Sequence, residues 1–312
     1  MIPIFPAFKR ISLDDELDIK FYTNKYKPYS SFNFTNVWAW NTKGKRMISK
    51  LNDNLVFYFA DYKTSEPFLS FLGTNDVEDT TRKLIEYAIE SKISPTLRFL
   101  MKEAVSEIKA SDIKIDEDVD SFDYIFSLSQ LANPQGSKFK TKRHLANRFQ
   151  EENPDAIFKI CDLNDINVQN QIISVLRRWE NNKKNDNKIY DLEHEEIAIC
   201  RLLKTASKHK LILSCIYLHD VMLGFSIDEV LPDNYAIAHF IKADNSFKGI
   251  YEFFNEKISQ YLLKQGVLLW NWQQDLNIEG LRQLKTSYHP VGFLKKYSVS
   301  FNTQRQIINS CN

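Results

Sequence analysis

Leu211-Ile-Leu-Ser-Cys-Ile-Tyr-Leu218, Val221-Met-Leu-Gly-Phe-Ser-Ile-Asp-Glu229 and Tyr235-Ala-Ile-Ala-His-Phe-Ile-Lys242 are three apolar runs of strand length. They are separated by His219-Asp220 and by Pro232-Asp233-Asn234, both turn sequences, so the segment predicts a three-stranded antiparallel meander. A helical pattern follows over Ser246–Gln265, with Gly266 placed to cap its end. Val267-Leu-Leu-Leu-Trp-Asn271 then reads as a buried strand. A helix between two strands of one sheet is the crossover that parallel pairing requires. Upstream, Ile157–Cys161 reads as a strand, with helices over Asp165–Glu180 and Glu193–Lys208. Downstream lie a helix near Ile278–Lys285 and a last strand toward Val299.

The first half repeats this order. Mixed helical segments over 14–40 precede strands at Arg46–Leu51, Leu55–Ala60 and Pro67–Leu72. A helix over Asp76–Ser91 has Leu84, Ile85, Ala88 and Ile89 at helical spacing. A strand at Thr96–Leu100, a helix at Lys102–Lys109 and a closing strand at Phe122–Leu128 complete it. The architecture repeats although the sequence hardly does. Leu131-Ala-Asn-Pro-Gln-Gly-Ser137 is the clearest turn-rich stretch and marks the boundary. The expectation is a lobe over 1–130, a second over 131–300 and a tail over 301–312. The fold class is α/β in the α+β sense, each lobe a mixed, mostly antiparallel sheet with flanking helices.

The composition suits two globular lobes: 312 residues, 43% hydrophobic, 26% charged, net charge +1. Stable DNA binding is not expected at that charge, so any polyanion must meet a local patch. The 8 glycines disfavour glycine-dense phosphate loops. Cys161, Cys200, Cys215 and Cys311 form no C-x-x-C pair, and no metal site is expected. No window carries the roughly 20 apolar residues of a membrane helix, and Pro3 and Pro6 break the short apolar start. A cytoplasmic protein with reduced thiols is expected.

Three stretches carry a family resemblance. They are Asp123-Tyr-Ile-Phe with Gly136-Ser-Lys-Phe-Lys-Thr-Lys-Arg-His-Leu-Ala-Asn-Arg-Phe149, Gly224-Phe-Ser-Ile with Ala238-His-Phe-Ile-Lys-Ala-Asp244, and Asn271-Trp-Gln-Gln-Asp-Leu-Asn-Ile-Glu-Gly-Leu-Arg-Gln-Leu-Lys-Thr-Ser-Tyr-His-Pro290. The chain thereby resembles the C-terminal domain of phosphatidylglycerol lysyltransferases, from about Tyr29 to Tyr297. That resemblance implies two tandem GNAT-like lobes, with the acyl donor held where the fourth and fifth strands part. It implies acyl transfer, with an aminoacyl-tRNA as donor and a small-molecule or lipid acceptor. Acyl-coenzyme A is the alternative donor, and a non-catalytic GNAT-fold binding protein is the alternative of another class. No bound cofactor is expected, because the donor is a co-substrate. The chain departs from the family in two places: Lys142-Arg143-His144-Leu145 stands where Lys-Arg-Asn-His is usual, and Ile241 stands where a Glu is frequent. The transmembrane part of the full lysyltransferase has no counterpart in these residues, which argues against a lipid acceptor.

The resemblance and the order of elements nominate residues. Asn271, Gln274 and Asp275 follow the buried parallel strand, beyond whose end ligands gather in open sheets. An amide and a carboxylate there can hold an amino group, or Asp275 can simply cap a helix. Arg282 and Lys285, three apart, share a helix face and can meet an anion or pair with Glu279. By analogy with GNAT enzymes Tyr288 is a candidate general acid, or else a buried hydrogen-bonded tyrosine. His239 is a candidate base or a core histidine. Lys242, an odd number of residues away, faces the other side of the strand unless it bulges. Lys138, Lys140, Lys142, Arg143, His144 and Arg148, with Arg177, Arg178, Lys183 and Lys184, form a polyanion groove or a solvated face. Phe139 between lysines reads as extended chain. The turns before the crossover helices, Gly73–Asp79 and Lys242–Gly249, are acidic and poor in glycine, unlike a pyrophosphate cradle.

Overall fold

The computed structural model describes residues 1–62, 64–184 and 192–302. The side chains of Lys183 and Lys184, together with Cys311 and the rest of the tail after residue 302, lie outside the described residues. In chain order the first elements are β1 (Lys9–Arg10), α1 (Glu16–Thr23), α2 (Phe34–Ala39), β2 (Met47–Leu51), β3 (Asn54–Ala60), β4 (Pro67–Leu72), α3 (Val77–Glu90) and β5 (Leu97–Met101). Next come α4 (Lys102–Val105), β6 (Ile113–Glu117), β7 (Asp123–Ser127), α5 (Leu128–Ala132), α6 (Lys140–Glu152), β8 (Ile157–Cys161), α7 (Ile166–Lys184) and α8 (Leu192–Lys204). The last are β9 (Leu211–Leu218), β10 (Val221–Leu231), β11 (Tyr235–Ala243), α9 (Ile250–Lys264), β12 (Leu269–Asn271), α10 (Glu279–Thr286), β13 (Gly292–Leu294) and β14 (Lys296–Phe301).

Two compact units result. One takes Met1–Asp123, Gln274–Arg282 and the segment from Phe293, and the other takes Tyr124–Gln273 and Gln283–Gly292. This division differs from a single cut at 130/131, because each half sends its last strand to the other unit. β7, expected to close the first half, pairs antiparallel with β12 through Trp270↔Phe126. β14, expected to close the second, lies between β5 and β6. Strand periodicity shows which face is buried, and says nothing about which neighbour supplies the hydrogen bonds.

The second unit is built on the meander. β10 pairs antiparallel with β9 and β11, and β8 forms the outer edge beside β9. β11 runs parallel to β12 through Tyr235↔Leu269, Ala236↔Trp270 and Ile237↔Asn271, with α9 as the crossover. Phe253, Phe254, Ile258 and Leu262 of α9 recur at helical spacing and pack around Trp270 with Leu128, Leu131, Ala146 and Phe149 of α5 and α6. Each such buried side chain contributes about 1.5–3 kcal/mol.

One polar group is sealed in this layer. Asp228 accepts hydrogen bonds from Ser226 Oγ (2.6 Å) and Trp270 Nε1 (2.9 Å). Burial outweighs both bonds and pushes its carboxyl up to about 7. Between about pH 4 and that value the folded chain keeps a proton that the unfolded chain has released, so this group's contribution falls as pH rises and levels off above it. Asp228→Asn should therefore gain stability over the parent at pH 8 and lose that advantage at pH 5. Thermal unfolding of both proteins across this range checks it, and a pH-independent difference would contradict the assignment.

In the first unit β1, β2, β3 and β4 form an antiparallel sheet, and β5, β14 and β6 form a second one. β4 and β5 occupy the places where parting strands were expected, but they belong to separate sheets. Phe59, Phe68 and Phe99 lie between them, with ring centroids 5.1–5.8 Å apart, and the Arg98 guanidinium sits over Phe68 and Phe99. β6 was not read from the sequence; it is a five-residue edge strand in which only Ile113 is buried. The segment around Lys138–Lys142 is not extended. Ser137–Phe139 is a 3-10 turn leading into α6, which buries Phe139 on the core side while the lysines stay outside or partly outside.

Candidate functional site

The parallel ladder of the second unit stops at Ile237/Asn271, while β11 continues to Ala243. Past that point the two strands part. Gln273 fills the wedge: its Nε2 donates to the carbonyls of Ala238 (2.5 Å) and His239 (3.3 Å). Asn271 Oδ1 accepts from the Gln273 N–H (2.7 Å), which turns the chain away from β12. Lys285 is buried, and its ammonium donates to the carbonyls of Trp272 (2.6 Å) and Gln273 (3.0 Å). Asn271 and Lys285 therefore brace the turn that opens the strands, and Gln273 closes the opening from within.

His239 stands at an irregularity of β11. Ile227 pairs with Phe240 and Asp228 with Ala238, which leaves His239 as the extra residue of a bulge. Bulges re-aim side chains, and here His239 Nε2 meets Glu229 Oε2 at 3.1 Å, with both residues buried. The strand is thus irregular between His239 and Lys242. Lys242 pairs with Glu195 (2.8 Å) and lies over the Trp179 indole at 3.6 Å. At the end of β11, Tyr251 Oη bonds both backbone groups of Ala243, and burial pushes the phenol up to about 12.

Tyr288 is 3% exposed in a small pocket whose other polar lining residues are Lys142, Glu252, Asn255 and Glu256. Lys142 Nζ pairs with Glu252 (3.3 Å) and lies 3.8 Å from the Tyr288 ring centre. Burial, and then the Glu252 charge, hold the phenol well above its ordinary range. Such a phenol releases its proton reluctantly. Arg143 donates to the carbonyls of Pro134 (2.7 Å) and Gly136 (2.9 Å), fixing the turn before α6. Arg148 pairs with Glu152, and Arg178 pairs with Asp244. Of the expected groove, Lys138, Lys140, His144 and Arg177 are left exposed.

Gln274, Asp275 and Arg282 belong to the first unit. Gln274 Nε2 donates to Ser31 Oγ (3.1 Å). Asp275, 1% exposed, accepts from Arg282 Nε (2.8 Å) and from the Asn277 N–H (2.9 Å). Arg282 also meets Asp120 at 2.7 Å, and its hydrogen bonds to Asp275 and then Asp120 raise its pKa. The continuous string Asn271–Tyr288 is thus divided between the units.

The chain itself packs closely against the glycines that precede α9 and α3. A Cβ on Gly249, just before α9, would lie 2.0 Å from the Leu145 carbonyl oxygen of α6. In the first unit a Cβ on Gly73 would lie 2.0 Å from Asn54 Oδ1. Asn54 there accepts from the Asn75 N–H (3.1 Å) and donates to Thr80 Oγ1 (3.1 Å). Among the described residues no cluster of His, Cys, Asp or Glu is placed to hold a metal ion, and no helix is long and apolar enough to cross a membrane.

Residues 23–300 match the family described as phosphatidylglycerol lysyltransferase, C-terminal. The chain belongs to this family. The lysyltransferase family places it in the acyltransferase class. A conserved protein of unknown function from Bacteroides thetaiotaomicron is similar in structure, with 26% identity and a TM-score of 0.82 over 97% of this chain and 100% of that one. The C-terminal domain of a putative lysylphosphatidylglycerol synthetase from Agrobacterium fabrum has 12% identity and a TM-score of 0.63, covering 96% of each chain. L-PGS from Bacillus licheniformis also has 12% identity and a TM-score of 0.63, over 99% of this chain and 96% of that one. These last two likenesses are of fold. No curated protein sequence matches the chain.

Within the lysyltransferase family frame, Glu229, Gln273, Glu195 and Trp179 are the residues that sequence reasoning did not single out. Glu229 left a signal: with Asp228 it is one of two adjacent acids in a mostly apolar strand run. Gln273 left none, because it stands beside an identical Gln274 that points elsewhere.

Proposed function

We propose that this lysyltransferase-family protein moves an aminoacyl group from a charged tRNA to an amine or hydroxyl acceptor, in its second unit. The observation that supports this donor over acyl-coenzyme A is the Leu145 carbonyl against Gly249. A pyrophosphate at that helix start would need the backbone N–H groups facing it to be accessible, and a carbonyl oxygen there repels an anion. The exposed Lys138, Lys140, His144 and Arg177 offer phosphate contacts instead.

His239 is the proposed base, with Glu229 holding its imidazole in position. The acceptor N–H or O–H gives its proton to His239 as its heteroatom attacks the ester carbonyl. The new C–N or C–O bond forms, the bond to the ribose oxygen breaks, and that oxygen leaves with the proton. Glu229 takes the place of the acid that Ile241 does not supply.

Binding of bulk charged tRNA, measured at rising salt with acetyl-coenzyme A as competitor, tests the donor. If about three phosphates are contacted, log affinity falls with log salt at a slope of roughly −2 to −3. Release of labelled amino acid to phosphatidylglycerol vesicles or to a small amine tests the transfer. Competition by acetyl-coenzyme A, or salt-independent binding, would overturn the reading.

A further inference from the structure

Away from the proposed site, the second unit places two thiols on one face of its sheet edge. β8 is the outermost strand, and it pairs with β9 through Lys159↔Cys215, Ile160↔Ser214 and Cys161↔Leu213. Alternate residues share a face, so Cys161 and Cys215 are diagonal neighbours across one ladder. Cys215 is fully buried. Cys161 is half-buried at the edge, and its sulfur lies 3.8 Å from Tyr217 Oη. Lys159, on the same face, lies over the Tyr217 ring at 5.3 Å.

We propose that Cys161 is oxidised by hydroperoxides and then closes a reversible disulfide with Cys215. The neighbouring Cys215 thiol is the largest influence on Cys161, and with Tyr217 and Lys159 it outweighs burial and holds this thiol below its ordinary range. Cys200 is the contrast, since burial raises its thiol. The Cys161 thiolate attacks one peroxide oxygen and the O–O bond breaks. Sulfur is oxidised to the sulfenic acid, and the second oxygen leaves as hydroxide, which takes up the thiol proton as water. The Cys215 sulfur then attacks the sulfenic sulfur. The S–S bond forms, and the expelled hydroxide takes the Cys215 proton as a second water. Two thiols are oxidised and one peroxide is reduced to two waters.

The geometry favours completion of the second step. Diagonal positions need a small approach of the two backbones to reach disulfide distance. Of the two strands, β8 is the one free to make it, being five residues long and bonded on one side. The bridge would close the chain between residues 161 and 215 into a loop. That loop carries α7 and α8, and with them Trp179 and Glu195, which hold Lys242. Oxidation would thus staple the helices that fix Lys242 to the meander.

The experiment treats the full chain with hydrogen peroxide, blocks remaining thiols and maps the digested peptides by mass. Expected is a mass lower by two hydrogens and a cross-linked pair joining the Cys161 and Cys215 peptides, lost on reduction. Cys215→Ala should stop at the sulfenic acid, which dimedone traps on Cys161. Cys161→Ser should give neither product. A parent protein in which Cys161 proceeds to sulfinic acid without a cross-link, stays reduced, or pairs with another cysteine overturns the proposal. The parent result decides even if a variant fails to fold.

Discussion

His239→Gln is expected to lower the turnover of aminoacyl transfer by about 10²–10⁴-fold, the usual range for removing a positioned general base. The amide is close in size to the imidazole and can still bond Glu229, so the fold should survive. What is lost is a group able to take the acceptor's proton. Apparent affinity for charged tRNA should stay the same, because His239 sits on β11 and the exposed basic residues lie on α6, on the turn before it and on α7. Glu229→Gln should cost less, on the order of tenfold to a hundredfold, since the imidazole remains and loses only its orienting charge. A merely structural Glu229 would lower the amount of folded protein and leave the turnover per folded molecule in place. Single-turnover rates of the parent and both variants, normalised to folded protein, distinguish the cases. Full activity in His239→Gln would remove the base from this site.

The sequence was most legible where chemistry and periodicity agree. The meander at 211–243, its two turns and the crossover helix are strong local signals, and the structure has all of them. Asn271 was placed correctly at the end of its strand. Its work there, accepting from the Gln273 N–H, depends on a turn that periodicity does not encode. The bulge at His239 was legible only as a condition, because spacing shows that a regular strand separates His239 from Lys242 but not whether the strand is regular. The exchange of β7 and β14 was not legible at all. Both are short strands, of five and six residues, and their partners are set by long-range packing. The basic segment misled for a related reason. Lysines alternating with Phe139 look like a strand, yet Arg143 reaches back to two turn carbonyls and Phe139 is buried, which favours a helix start. The backbone carbonyl against Gly249 was not legible, since it comes from a residue more than a hundred positions away.

Lys296→Met is expected to destabilise the protein by about 3–5 kcal/mol, the cost of leaving one partner of a buried ion pair alone. Lys296 Nζ lies 2.7 Å from Asp123 Oδ1, and both side chains are 0% exposed. Ser31 Oγ adds a bond at 2.9 Å to the ammonium, and the Ser30 N–H donates to Asp123 at 2.7 Å. Burial pulls the Lys296 ammonium below its ordinary range despite the attraction of Asp123, so the pair stands at a net desolvation cost. Methionine fills the volume of the stem but leaves the Asp123 carboxylate without its counter-charge. A loss of that size should lower the midpoint of thermal unfolding by roughly 10 °C. Asp123→Leu alone should be comparably damaging, since it strands the ammonium. The double variant should cost clearly less than the sum, because neither charge is then left unpaired. Additive losses would mean that the two groups act separately through Ser30 and Ser31. The pair matters beyond stability, because Ser31 also receives Gln274, the first residue of the Gln274-Asp275 step. Tightly held serines fix Gln274, and through it the start of the chain that Asp275 and Arg282 lock in place. If so, Lys296→Met should also weaken the Asp275–Arg282 pair. Hydrogen exchange over 274–282 should rise in that variant and stay unchanged in His239→Gln.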